Sequence, residues 1–113
     1  MAKYSPCARV VKGSLEISKS RAGIFIGGDP EGLRSLAKIL LWLADVDQES
    51  HPNMPDGERE HAHLYRDQPS GHLTPFSVTT ELCRLDAKGT GEFPEYYRDA
   101  KQNTRVSSKA RKR

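Results

Sequence analysis

The stretch Ile24-Phe25-Ile26-Gly27-Gly28-Asp29-Pro30-Glu31-Gly32-Leu33-Arg34-Ser35-Leu36-Ala37 decides the fold. It opens in the strand period, with Ile24 and Ile26 on one face, and closes in the helical period. Two glycines end the strand. Asp29 is placed to cap the free N–H groups of a helix, and Pro30 has the fixed φ of a first helical position. Glu31 complements the positive helix end. The helix predicted from here runs to about Asp45. Leu33, Leu36, Ala37, Leu40, Leu43 and Ala44 share its apolar face, with Ile39 and Leu41 at the borders. Arg34, Ser35, Lys38 and Asp45 lie opposite.

Before this stretch, Gly13–Lys19 also alternates, with Leu15 and Ile17 on one face. Ser20-Arg21-Ala22-Gly23 suits a hairpin turn between the two strands. After the helix, residues 45–59 carry Asp45, Asp47, Glu49, Asp56 and Glu58 together with Pro52 and Pro55, and predict a mobile acidic loop. Glu60–Arg66 alternates again. Ala62 and Leu64 form its inward pair, leaving His61, His63 and Tyr65 on the other face. Ser77–Asp86, rich in β-branched residues, reads as a last strand; its rival is a helix capped by Thr74 with Val78, Leu82 and Leu85 in register. The predicted fold is α+β: a small antiparallel sheet of about four strands, in the order β-β-α-β-β, with one amphipathic helix packed on one face. The other sheet face is left open.

Charge divides the chain of 113 residues. Its 18 Lys and Arg exceed its 15 Asp and Glu by three, yet seven of the bases and one acid fall in residues 98–113. Residues 1–97 therefore carry a net −3 and the tail +6. The expected organisation is an irregular N-terminal segment at 1–12, a single α+β domain at 13–97 and a basic, disordered tail at 98–113. A domain of this size is too small for a catalytic barrel or a doubly wound nucleotide-binding fold. No apolar run approaches the roughly 18 residues of a membrane span, and the start lacks a secretory apolar stretch. With Cys7 and Cys83 far apart, the expectation is a cytoplasmic protein with reduced thiols and no membrane contact.

The four histidines, His51, His61, His63 and His72, all fall within 22 positions. Strand spacing puts His61 and His63 on one side, about 6–7 Å apart. A third ligand from Glu49, His51 or His72 would complete a transition-metal site. Without one, the pair is a polar strand with some pH sensitivity. No cofactor is assigned on this basis; His61 and His63 are the metal candidates. No catalytic set is visible either. Cys83 lies mid-strand and reads as a small core residue, and Gly27-Gly28 lacks the lysine and spacing of a phosphate loop. The chain is therefore expected not to be an enzyme.

Binding is the better expectation. Trp42 lies nine positions after Leu33, on the polar side of the helix. Either a later segment with Phe93, Tyr96 and Tyr97 covers it, or it anchors a partner. The expected protein-binding surface comprises His61, His63 and Tyr65 with the acidic Glu49, Asp56 and Glu58, and Trp42 as a further anchor. The tail, from Ser107 to Arg113, has no interleaved aromatics, so its contact with nucleic acid would be non-specific through phosphates. Its alternatives are a solubilising terminus or one folded back on the acidic loop.

The run Ile24–Ala37, the acidic linker, Glu60-His61-Ala62-His63-Leu64 and the later Leu73-Thr74-Pro75-Phe76-Ser77-Val78 together resemble the immunity protein 32 family. Its members are small bacterial proteins associated with polymorphic toxin systems. The resemblance spans roughly residues 13–86 and leaves the first dozen residues and the basic tail outside it. It implies an α+β fold and a role in binding and neutralising a cognate toxin, without catalysis. It supplies no catalytic residues.

Overall fold

A computed structural model describes residues 4–7, 10–66 and 72–97. The two-residue turn Arg21-Ala22 joins β1 (Leu15–Ser20) to β2 (Gly23–Gly28) in antiparallel register, with Ser20 opposite Gly23 and Leu15 opposite Gly28. Gly23 closes the turn at φ 132°, a value L side chains rarely adopt. Helix α1 (Pro30–Asp45) follows, then a short 3₁₀ turn at Gln48–Ser50. Strands β3 (His61–Leu64) and β4 (Thr80–Cys83) pair antiparallel, His61 opposite Cys83 and His63 opposite Glu81. Strand, not helix, is thus the state of 80–83. No helix among the described residues is long and apolar enough to cross a membrane.

The α+β class and the β-β-α-β-β order are as expected, but the strands form two separate pairs. Segment His72–Val78 lies between them. Its Thr74 N–H donates to the Leu15 carbonyl (2.9 Å) and its Val78 N–H to that of Ile17 (2.8 Å). Ser77 Oγ accepts from Ile17 N (3.1 Å), and Leu73 bridges to Arg66 beside the end of β3. This segment covers the outer edge of β1 without becoming a strand. Pro75 has no N–H to give a ladder, and the Ser77 N–H turns back to Thr74 O (3.0 Å).

One core joins both hairpins to the helix: Leu15, Ile17, Leu36, Ile39, Ala62, Leu64 and Leu73, with Cys7, Val11 and Leu82 packed against it. The helix faces it at a different angle from the one its hydrophobicity predicts. Its buried residues are Gly32, Ser35, Leu36, Ile39 and Leu43, while Leu33, Leu40 and Leu41 are exposed. The cause is the chain before β1. Ser35 Oγ accepts from Lys12 N (2.9 Å), so a residue assigned to the polar side is buried under backbone. Gly32 beside it provides the room for that approach.

Asp29 fixes this junction. Its Oδ1 accepts from Gly32 N (2.7 Å) and from Ser14 N (3.0 Å), capping α1 and tying it to the entry of β1 with one carboxylate. Those two bonds, Ser14 first, hold the Asp29 carboxyl below the ordinary carboxylate range.

The acidic connection is anchored rather than loose. Gln48 is buried and bonds the Asp86 carbonyl (2.8 Å), and Lys88 Nζ donates to His51 O (2.7 Å). Gly57 N donates to Lys88 O and Lys88 N to Glu58 O, each at 2.8 Å. A single lysine from beyond β4 thus meets the acidic segment's carbonyls. Cys83 also departs from expectation: it is exposed, whereas Cys7 packs on the core.

Candidate functional site

Strand β3 shows the simplest reason for its open face. Ala62 and Leu64 are fully buried, so the alternate residues must project away from the core. His61, His63 and Tyr65 do so, and their rings form a row. His61 and His63 centroids are 4.9 Å apart edge to face, His63 and Tyr65 5.8 Å apart and stacked, and Tyr65 and His72 6.0 Å apart. His72 Nδ1 accepts from Tyr65 N (3.0 Å), which ties the end of the row to the backbone. The three strand residues expected at the site are therefore neighbours, and His72 joins them.

On the partner strand, Glu81 and Cys83 lie directly across from His63 and His61 and so share this face. Glu81 Oε1 stands 3.9 Å from His63 Nε2. Neither residue was identified as part of the site from sequence, because strand register is a tertiary fact. Burial, and then the charge of Glu81, pushes the Cys83 thiol above its usual range.

The acidic residues gather elsewhere. Glu49 accepts from Gly89 N with both oxygens (2.9 and 3.1 Å), and Asp56 packs against the same glycine, which has φ 90°. Glu58 is exposed on the same segment. Glu49 thus closes a turn instead of standing free. Of the loop ligands proposed for the histidine pair, Glu49 is bound to Gly89, and His51 pairs with Glu60 (2.5 Å) while stacking on Tyr4 at 4.0 Å. Glu60 is buried, and its carboxylate accepts from His51 Nδ1.

Trp42 is half-buried, and its Nε1 donates to Ser5 O (2.7 Å). The segment that meets it comes from the N-terminus rather than from the aromatic stretch at 93–97, where Phe93 and Tyr97 pack on one another at 5.1 Å. The described residues before β1 dock on the body through Ser5, Cys7 and Val11. The basic tail at 98–113 lies outside the described residues, as does any contact it makes with nucleic acid.

The larger surprise is β2. Ile24, Phe25 and Ile26 are 61%, 51% and 53% exposed, in a strand without a charged residue. Alternation alone had paired Ile24 and Ile26 on one face. Ile26 does lie opposite the buried Ile17, yet remains half open.

The model of the family described as Immunity protein 32 matches residues 23–83, more than half of the chain, from the turn of the first hairpin to the end of β4. No curated protein and no solved structure matches.

Proposed function

This chain belongs to the immunity protein 32 family, and from that membership we propose that it is a non-enzymatic binding protein that neutralises a cognate toxin in the bacterial cytoplasm. The observation that carries the reading is the open face of β3. A row of four rings, His61 and His63 on β3, Tyr65 just beyond it and His72 from the following segment, stands on a face whose other side is sealed in the core. Rigid aromatic groups on a firm backing lose little conformational entropy on docking, which suits them to be interface anchors. His61, His63 and Tyr65 are the proposed centre of the contact. Glu49, Asp56 and Glu58, on the segment that meets Gly89, lend a second, acidic contact surface, and Trp42 is a peripheral anchor. Residues 13–97 form the proposed binding unit.

Growth rescue tests this. The full chain is co-expressed with the toxin domain encoded beside its gene. Protection of the cells and a co-purifying complex are expected, and Tyr65→Ala should weaken the complex at least tenfold, as truncation of an interface anchor does. Arg34→Ala, on the helix side away from the core, should not. A chain that neither protects nor binds that toxin would overturn the reading.

A further inference from the structure

We propose that His61, His63 and Glu81 form a zinc site on the open face of β3–β4, with Cys83 as the fourth ligand. The antiparallel register puts His61 opposite Cys83 and His63 opposite Glu81. Residues opposite one another, and residues two apart along a strand, project from the same face. Four potential ligands therefore stand at the corners of one small patch. One ligand atom from each of His61, His63 and Glu81 already lies within 4.8 Å of the other two. Zinc bonds of about 2.0–2.2 Å place tetrahedral ligand atoms roughly 3.3–3.6 Å apart. The His63–Glu81 pair is at 3.9 Å, so closing the site takes movements of about an ångström. The three side chains are exposed or half-exposed, free to make such a movement.

A second observation supports the ligand role of His61. Its Nδ1 lies 3.1 Å from the Arg59 carbonyl. A carbonyl only accepts, so Nδ1 carries the proton and Nε2 keeps its lone pair. That is the backbone-held tautomer metal-binding histidines commonly use. The donor set settles the class of ion. Two imidazoles and one carboxylate, with a thiolate, suit zinc and disfavour calcium and magnesium, which take oxygen ligands. Cys83 is exposed, and its thiol is turned toward the Arg84 carbonyl (3.1 Å). Rotation about its side-chain bond brings the sulfur to the open corner, where it binds as thiolate and releases a proton to solvent.

The site shares His61 and His63 with the proposed toxin contact, but its test is independent of that reading, since the ion is titrated into the full chain alone. Zinc titration monitored by competition with a chromophoric chelator should give one ion per chain. His63→Ala and Glu81→Ala should each weaken binding at least tenfold, while Arg34→Ala, exposed on α1 and outside β3 and β4, should leave it unchanged. Glu81→Gln, which keeps the shape and removes the charge, guards against loss by misfolding and should weaken binding likewise. Cobalt(II) should give the intense visible bands of a tetrahedral site and a thiolate charge-transfer band that Cys83→Ser abolishes. Failure to bind zinc, or equal losses in Arg34→Ala and His63→Ala, would overturn the site. Tetrahedral bands lacking the charge-transfer feature would overturn the role of Cys83.

Discussion

Gly32 lies directly under the carbonyl oxygen of Ser14, so close that a β-carbon on Gly32 would overlap it. This contact explains why a residue that weakens helices stands in the first turn of α1. On helix propensity alone, Gly32→Ala should stabilise by up to about 1 kcal/mol. The overlap reverses the sign. Forcing Ser14 and the entry of β1 away from the helix should cost about 1–3 kcal/mol net. Urea unfolding of the two proteins reads this directly, and a more stable variant would show that the Ser14 backbone yields freely.

Acid should unpick the same junction through Asp29. Its carboxyl is held below the ordinary range, so the native state binds this proton less readily than the unfolded chain. Its contribution is complete above the unfolded value near 3.8 and is lost as pH falls through the lower native value. Asp29→Asn removes that contribution. Unfolding free energies of the two proteins should differ at neutral pH and converge at strongly acid pH; a constant gap would contradict the assignment.

Arg84 performs a task that α1 leaves undone, since the last turn of the helix has no basic residue. From beyond β4, its Nη1 donates to the carbonyls of Val46 (3.0 Å) and Leu43 (3.4 Å), while Nε holds Asp86 at 2.9 Å. The bond from Arg84 lowers the Asp86 carboxyl's proton affinity. Arg84→Ala should cost about 1.5–3 kcal/mol, the usual loss for hydrogen bonds from a charged group. Lysine, a point charge without the planar fork, should restore less than half of it. Thermal unfolding of the three proteins makes the comparison.

Leu64 and Phe25 are both apolar strand residues, but truncation should cost far more at one than at the other. Leu64 is fully buried, and Leu64→Ala should destabilise by about 2–5 kcal/mol. Phe25 is 51% exposed, and Phe25→Ala should cost less than about 1 kcal/mol. Chemical denaturation distinguishes them. A large loss at Phe25 would mean that β2 is covered in the folded protein.

Much of the fold is legible residue by residue. Asp29-Pro30 marks the start of α1, Ala62 and Leu64 mark the inward face of β3, and the two-residue turn at Arg21-Ala22 closes the first hairpin. The site was half legible. Alternation places His61, His63 and Tyr65 on one face, but Glu81 and Cys83 come from a strand 16 or more positions away. Trp42 illustrates the same limit: its bond to Ser5 spans 37 positions, and nothing in residue type favours that serine over the aromatic residues at 93–97.

The sequence by itself determined what depends on neighbours along the chain: strand and helix periods, the cap at Asp29, the turn and the acidic body with a basic tail. Those follow from local sterics, local hydrogen bonding and composition. Only the tertiary structure decided which side of α1 is buried, that His72–Val78 separates the strands into two pairs, and that Glu81 faces His63. These outcomes depend on backbone groups meeting across the fold, such as Lys12 on Ser35 and Ser14 on Gly32. A backbone carbonyl is the same at every position, so its destination leaves no mark on residue type.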